Sequence, residues 1–215
     1  MPVRLVAVTK QSVVDLNSSQ DLIAYCARVS NPANQLNTGT SSKLLEYMVK
    51  NKHWSPFEMA HMVLEIRTTR DIARQILRHK SFSFQEFSLR YSQVLDPPVF
   101  REARMQDLKN RQSSYNASEA FQHIWEEAQK TVWESANTAY EAALNLGIAK
   151  EVARAVLPEG MTPSRLYMAG SVRSWIHYVE LRCGNGTQKE HQAIASDCKA
   201  ILLDQFPVLS GVLGG

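Results

Sequence analysis

The chain has 215 residues, of which 44% are hydrophobic and 21% are charged, a balance typical of a soluble globular protein that can bury a substantial core. Its formal net charge of +3 is too small to indicate a nucleic-acid-binding protein from bulk charge alone. No window approaches the roughly eighteen apolar residues of a membrane span, and the first residues lack the apolar stretch of a signal peptide. We therefore expect one cytoplasmic domain over residues 1–215.

The first part of the chain predicts strands alternating with helices. Residues 3–9 are short and apolar and indicate a strand. Two serines offer N-caps for a helix over residues 20–29, and a second amphipathic helix is indicated over residues 41–50. Apolar residues alternate over residues 57–68, which predicts a strand, and the period becomes helical over residues 69–79.

The second part predicts mainly helices. Residues 101–116 are polar with little periodicity, so we expect a long loop, a mobile lid or a short charged helix. A long helix is expected over residues 118–146, and Gly147 is expected to end it. Further helical segments are expected over residues 150–157, over the second half of residues 164–182 after a break at Gly170, and over residues 188–206.

Residues 75–92 carry cations and hydroxyls interleaved with aromatic rings, a mixture that neither a core nor a plain solvated surface requires. One interpretation is a helix end followed by a surface hairpin anchored by phenylalanines. The other is a pocket wall that binds a phosphorylated planar ligand. Helical spacing places Gln75 and Arg78 on one polar face, and the chain then returns Ser88 and Arg90. Arginine forks and a neighbouring hydroxyl are suited to phosphate.

Other chemistries have little support in the sequence. The chain contains no H-E-x-x-H, no P-loop, no G-x-G-x-x-G and no G-x-S-x-G, so metal hydrolysis, Walker-type phosphoryl transfer, Rossmann hydride transfer and serine hydrolysis are not indicated. Cys26, Cys183 and Cys198 lack the spacing of a metal site, and we expect them to be reduced thiols.

Five ordered motifs resemble those of the flavin-dependent thymidylate synthases, and together they extend over nearly the full chain. They are A-R-V-S at 27–30, H-x-S-P-F-E at 53–58, R-H-K-x7-S at 78–88, E-V-A-R-x-V-L-P at 151–158 and R-S-x6-L-R at 173–182. One position departs from the family, in which the third residue of the R-H-R motif is usually arginine. Lys80 keeps the charge there but lacks the bidentate fork.

The resemblance implies an α+β subunit with a mainly antiparallel sheet, several flanking helices and a homotetrameric assembly whose active sites are shared between subunits. It implies reductive methylation of dUMP to dTMP, with methylenetetrahydrofolate as carbon donor and FAD, reduced by NADPH, as hydride source. It further implies no cysteine nucleophile, no metal, and neither a nucleic acid polymer nor a membrane as partner.

The resemblance also implies roles for particular residues. Those expected to contact FAD are Ser55, Arg78, His79, Lys80, Glu86, Ser171, Arg173 and His177. Those expected to hold dUMP are Gln75, Arg78, Glu86, Ser88, Leu89, Arg90, Arg154 and Arg182. Arg182 takes the activating role in this assignment, because it stabilises negative charge that develops on the uracil ring.

Helix geometry adds an independent argument for shared sites. If residues 171–182 form one helix, Arg173 and Arg182 lie about 180° apart at roughly 100° per residue, so they face opposite ways. One pocket within one subunit cannot easily use both arginines, whereas pockets at subunit interfaces can.

Two other function classes stay open on the sequence. One is a nucleotide- or RNA-binding module without redox chemistry, which would use the arginines and phenylalanines of residues 75–92 to bind phosphates and stack bases. The other is a cysteine-dependent uridylate methylase. Flavin absorbance separates the first from the enzyme, and replacement of the three cysteines separates the second.

Overall fold

The computed structural model describes residues 2–13, 15–93 and 96–213. The chain forms two compact units. The terminal unit comprises residues 1–66, 79–85 and 167–215, and the central unit comprises residues 67–78 and 86–166. Among the described residues, no helix has the length and apolar character that a membrane span requires.

Helices outnumber strands in the described part of the chain, and three strands follow one another between α3 and α4. The strands are β1 (Val3–Val8), β2 (His61–Thr69), β3 (Ser83–Glu86), β4 (Arg104–Gln106), β5 (Ser114–Asn116) and β6 (Pro163–Ser171). The α-helices are α1 (Ser19–Ala27), α2 (Ser41–Lys50), α3 (Arg70–Ile76), α4 (Glu119–Asn145), α5 (Lys150–Ala153), α6 (Val172–Arg182), α7 (Lys189–Gln205) and α8 (Ser210–Leu213). Short 3₁₀ helices occupy Pro32–Asn34, Thr38–Thr40, Ser55–Glu58, Arg154–Val156 and Pro207–Leu209. The predicted α+β class, with an antiparallel sheet and several helices, is confirmed.

A four-stranded sheet in the order β1-β2-β6-β3 organises the fold. β1 runs antiparallel to β2, which begins at His61, later than predicted, and the predicted inward positions of β2 are confirmed because Met62, Leu64 and Ile66 are fully buried. Glu65 lies between them in sequence and is also buried, with only 1% of its surface exposed. Its carboxylate is paired with Arg4, its direct partner across the strands, whose Nη2 lies 2.7 Å from Oε2.

The helix predictions agree closely with the structure. Ser18 caps α1 by accepting a hydrogen bond from the backbone N–H of Asp21 at 3.1 Å, and α2 has the predicted bounds. α3 is shorter than predicted and ends at Ile76. Gly147 follows α4 with a φ of +80°, the left-handed conformation in which a glycine commonly ends a helix.

Two sequence predictions are wrong. Residues 101–116 contain no helix and are not one continuous loop, because β4 and β5 pair as an antiparallel hairpin with Arg104 opposite Asn116, and the loop is confined to the residues outside these strands. The mobile lid stays a prediction. Hydrogen bonds between strands do not require a clear apolar period, so a polar segment such as this one can pair without a recognisable strand pattern. Gly170 is not the break before the helix either: it lies inside β6, and Ser171 caps α6 by accepting from the N–H of Ser174 at 3.2 Å.

Gly170 has a packing role that predicts a loss of stability on substitution. A Cβ at this position would lie 2.5 Å from Cδ1 of Phe82, and that ring is held edge-on against Trp175 with centroids 4.8 Å apart. We expect Gly170→Ala to lower the free energy of unfolding by about 1–3 kcal/mol in urea titrations, because the packed ring must shift.

Gly211→Ala provides the matched control. Gly211 lies in α8 with no atom within 4 Å of its Cβ position, so the added methyl group meets open space. Alanine is also the better helix former, and we expect little change or a small gain in stability. Equal losses in the two variants would contradict the steric explanation.

Candidate functional site

The terminal unit brings together two motif residues that are far apart in the sequence. His79 follows α3, and Arg182 ends α6, yet Arg182 Nε donates a hydrogen bond to His79 Nε2 at 2.9 Å across a separation of 103 residues. A guanidinium has no acceptor, so His79 Nε2 must present its lone pair. His79 is therefore neutral in this arrangement and carries its proton on Nδ1.

Aromatic side chains form a wall around His79. Its ring lies nearly perpendicular to that of Tyr178, with centroids 4.9 Å apart, and edge-on to Phe82 at 6.5 Å. Phe82 in turn packs against Trp175, whose Nε1 donates to the carbonyl of Met62 at 3.1 Å. Because Trp175 is anchored to β2, the rings that contact His79 have little freedom to move.

A buried hydrogen bond lies on the other side of this wall. The hydroxyl of Tyr178 is 3.1 Å from Nε2 of His191 on α7, and both residues are buried. Burial raises the pKa of Tyr178. Burial, and after it the positive charge of Arg182, lower the pKa of His191 to about 4. Both members of the pair are therefore neutral near pH 7.

The lowered pKa of His191 predicts a pH-dependent stability. Between about pH 6.5 and about pH 4 the unfolded chain takes up a proton on His191 that the folded chain refuses. We therefore expect the free energy of unfolding to fall as the pH falls through this interval. Urea titrations at a series of pH values should show a weaker slope in His191→Gln. His123→Gln, at an exposed position on α4, should keep the wild-type slope, and a wild-type slope in His191→Gln would contradict the assignment.

Several predicted flavin residues lie near one another on the terminal unit. Arg173 Nη1 donates to Glu58 Oε1 at 3.1 Å, and the ring of His177 lies edge-on to Trp54 at 4.9 Å. Because Ser55 lies between Trp54 and Glu58 in the chain, these contacts bring Ser55, Arg173 and His177 to the same part of the surface.

The remaining predicted flavin residues of this unit differ in exposure. Lys80 is exposed, and its ammonium is accessible to an anionic ligand. Ser171 is buried, and its hydroxyl serves as the cap of α6 and lies 3.2 Å from Ser174 Oγ. A flavin contact by Ser171 stays a prediction, because its hydroxyl already has a structural role.

The central unit contains most of the residues predicted to hold dUMP. Arg90 Nε donates to Glu151 Oε2 at 3.1 Å, and Arg154 Nε donates to the carbonyl of Glu151 at 3.3 Å. The backbone N–H of Arg90 donates to Ser88 Oγ at 3.3 Å. The ion pair between Arg90 and Glu151 therefore brings the segment of Ser88 and Arg90 to the segment that carries Arg154. The sequence had not singled out Glu151 for a role.

Arg90 and Glu151 border a depression of about 500 Å³, whereas Ser88 and Arg154 are not among its lining residues. Arg90, Lys150 and Glu151 contribute its charges, and Lys150 Nζ donates to the carbonyl of Tyr91 at 3.2 Å. The side chains of Arg90 and Glu151 are 57% and 52% exposed, so an anion could displace the carboxylate from the guanidinium. Two cations beside an open depression can bind a phosphate.

Three other predicted substrate residues have different surroundings in the central unit. Leu89 is buried against Tyr140, Ala153 and Leu157, which indicates a packing role. Glu86 accepts a hydrogen bond from Ser164 Oγ at 2.7 Å, and Oε1 lies 3.7 Å from Arg70 Nη1. Gln75, at the end of α3, is half-buried.

Arg78 is exposed just beyond α3. Four further residues with contacts in these sites had no role predicted from the sequence: Tyr178, His191, Glu58 and Glu151. The two glutamates lie inside quoted motifs, and that position is the signal that could have identified them. Tyr178 and His191 stand 13 residues apart on different helices, so no spacing rule within one element connects them.

Comparison with known proteins shows similarity along the whole chain. The family described as "Thymidylate synthase complementing protein" matches residues 12–208. The chain is 49% identical over 214 residues to a probable flavin-dependent thymidylate synthase of Paramecium bursaria Chlorella virus 1. It is 51% identical over 217 residues to the flavin-dependent thymidylate synthase of a Synechocystis species. Each of these two matches covers 99% of this chain and 99% of the relative.

A solved structure shares the fold. The crystal structure of a UMP/dUMP methylase, PolB from Streptomyces cacaoi, bound with 5-Br dUMP, superposes with a TM-score of 0.79 at 27% identity. The superposition covers 96% of this chain and 91% of that protein. The same methylase bound with 5-Br UMP gives the same TM-score at 26% identity.

Proposed function

Since the chain belongs to the family of flavin-dependent thymidylate synthases, we propose that it converts dUMP to dTMP by reductive methylation without a cysteine nucleophile. The carbon comes from methylenetetrahydrofolate, and NADPH is the reductant. The observation that carries this proposal is the hydrogen bond between Arg182 and His79, which joins the last motif of the family to its central one at 2.9 Å.

The predicted flavin residues of the terminal unit fit FAD by their chemistry. Bound FAD supplies the hydride of the reaction. Ser55 and Lys80 are exposed and offer a hydroxyl and an ammonium, donors that suit a pyrophosphate. Arg173 adds a guanidinium, and the paired rings of Trp54 and His177 offer flat surfaces for a planar ring system.

In this proposal, residues of the central unit bind the phosphate of dUMP. The guanidinium of Arg90 donates to the carboxylate of Glu151, that of Arg154 donates to the backbone carbonyl of Glu151, and the hydroxyl of Ser88 accepts from the backbone N–H of Arg90 and can donate to a ligand. A dianionic phosphate competes well with one exposed carboxylate for these donors, because its three oxygens accept several charge-assisted hydrogen bonds.

Arg182 has the activating role. Within the described residues its hydrogen bond to His79 uses Nε, so the two terminal amino groups stay available for the uracil ring. A fixed guanidinium stabilises negative charge that develops on the ring, and that charge makes the C5 carbon nucleophilic. The role of His79 is to accept from Nε and thereby orient the guanidinium.

We also propose a homotetramer whose active sites are shared between subunits. α6 is one continuous helix, so Arg173 and Arg182 point about 180° apart, and they contact Glu58 and His79 respectively. Exposed apolar side chains support self-association. On α4 alone they are Phe121, Ile124, Trp125 and Val132. Light scattering combined with size exclusion measures the assembly.

The proposed function is tested by flavin content and product formation. The purified protein is expected to be yellow, with flavin absorbance, and to form dTMP from dUMP, methylenetetrahydrofolate and NADPH. A colourless protein that also fails to bind added FAD would refute the enzyme and favour the nucleotide- or RNA-binding module.

Replacement of Cys26, Cys183 and Cys198 by alanine tests the absence of a cysteine nucleophile. Burial raises the pKa of Cys198 and of Cys26, which disfavours the reactive thiolate at both positions. We expect dTMP formation per bound flavin to stay within a few-fold of wild type. Complete loss of turnover in a folded, flavin-loaded triple variant would instead support the cysteine-dependent methylase.

A further inference from the structure

A buried polar pair, Tyr178 and His191, lies next to His79, the residue that accepts the hydrogen bond from Arg182. The family resemblance assigned no role to either member of the pair. Tyr178 and His191 are 1% and 0% exposed, and their hydroxyl and Nε2 atoms are 3.1 Å apart. Burying two polar groups is unfavourable unless they hydrogen-bond to each other, and two apolar side chains would fill the same space without that requirement. The pair therefore contributes specificity of arrangement more than it contributes stability.

Both rings of the pair lie next to His79, the residue that accepts the hydrogen bond from Arg182. The Tyr178 ring meets the His79 ring at an interplanar angle of 82° and a centroid distance of 4.9 Å, and the His191 ring lies 6.2 Å from His79 at 88°. Rotation of the Tyr178 ring about its bonds would break the hydrogen bond to His191. His191 on α7 thus holds the Tyr178 ring in one orientation. The ring in turn supports His79.

We propose that the Tyr178–His191 pair positions Arg182, by holding His79 with its Nε2 lone pair directed at the guanidinium. This inference rests on the proposed function, in which Arg182 activates dUMP. Arginine has a long flexible side chain, and ordering it in advance removes an entropic cost from the reaction step. Tyr178 and His191 act through His79 and are positioning residues, since neither has to touch the substrate.

Three substitutions test the kinetic part. Tyr178→Phe removes the hydroxyl and keeps the ring, and His191→Leu removes the hydrogen-bonding partner of that hydroxyl. Each is expected to lower kcat about 10-fold with a smaller change in the KM for dUMP, because a misplaced donor costs transition-state stabilisation. His191→Gln keeps a polar group of similar reach and should recover most of the loss. Tyr47→Phe, an exposed tyrosine on α2, is the control and should match wild type.

The double variant separates one shared effect from two independent ones. If both residues act through the same hydrogen bond, Tyr178→Phe combined with His191→Leu should be little worse than either single variant. If the fold-loss in kcat of the double variant equals the product of the two single losses, the residues act independently. That result would contradict action through one shared hydrogen bond.

A spectroscopic measurement tests the same proposal without catalysis. The chain has 6 histidines, so ¹⁵N shifts of labelled side chains can be assigned by substituting them one at a time. In the wild-type protein His79 is expected in the Nδ1–H tautomer, the form that accepts from Arg182. Tyr178→Phe and His191→Leu should shift His79 toward the other tautomer, whereas Tyr47→Phe should not.

The outcomes distinguish this inference from the proposed function. If the wild-type protein forms dTMP but the pair variants keep the wild-type kcat and His79 tautomer, the positioning role is refuted and the function stands. If the wild-type protein forms no dTMP, the proposed function fails, and the tautomer shift alone decides whether the pair orients His79. A fall in kcat that is fully accounted for by a smaller fraction of folded protein would likewise refute the positioning role of the pair.

Discussion

Arg182→Ala is expected to lower kcat for dTMP formation by about 10²–10³-fold, the loss typical when one preorganised donor to a developing charge is removed. The guanidinium is the cation that His79 holds in place, through the 2.9 Å hydrogen bond from Nε. In the proposed mechanism this guanidinium stabilises charge on the uracil ring, so its removal is expected to slow the reaction step. Steady-state kinetics at saturating dUMP, normalised to bound flavin, measure the effect.

The Arg182 experiment needs two companions. Arg182→Lys keeps the charge but loses the planar fork and Nε, so we expect it to recover only part of the lost rate. Arg74→Ala is the control for loss of an arginine, because Arg74 pairs with Glu159 on the exposed surface of the central unit. FAD content should be unchanged in all three proteins. Wild-type turnover in Arg182→Ala would refute the activating role.

Arg90→Ala is expected to raise the KM for dUMP about 10- to 100-fold, with a smaller effect on kcat. Charge-assisted hydrogen bonds to a phosphate contribute about 1.5–3 kcal/mol each, and this loss affects the bound substrate and the transition state alike. Isothermal titration with dUMP gives the corresponding affinity. An unchanged KM would show that Arg90 only forms the ion pair with Glu151 that the structure displays.

Glu151→Gln provides the opposite change for the same site. Its carboxylate accepts from Arg90 Nε at 3.1 Å and would both compete with a phosphate and repel it. We therefore expect Glu151→Gln to lower the KM for dUMP by a few-fold while Arg90→Ala raises it. Arg90→Lys should lie between Arg90→Ala and wild type, because the charge stays but the fork is lost.

The two candidate sites were predictable to different degrees. The motif around Arg90 and Ser88 and the motif that contains Arg154 were both recognised, and the structure joins them through Glu151. The residues of the predicted flavin set came from the same kind of motif match and stay predictions, and the buried role of Ser171 as a helix cap could not be predicted. From sequence alone, a serine before a helix can be interpreted either as an N-cap or as a residue that binds a ligand. Its burial decides between the two.

The sequence by itself determined the elements whose signals are local. The period of buried side chains in β2, the cap at Ser18 and the glycine after α4 each depend on neighbours within a few residues, and all three agree with the structure. The ordered motifs likewise sufficed to identify the family, because residue types and their order can be compared without knowing the fold.

Only the tertiary structure decided which distant residues meet. Nothing in the spacing of His79 and Arg182, or of Tyr178 and His191, predicts a hydrogen bond, since each pair depends on how separate elements pack. The same holds for Gly170, whose importance comes from the Phe82 ring placed against it. Side-chain periodicity determines which face of an element is buried, whereas the partner on the other side is selected by the packing of the whole core.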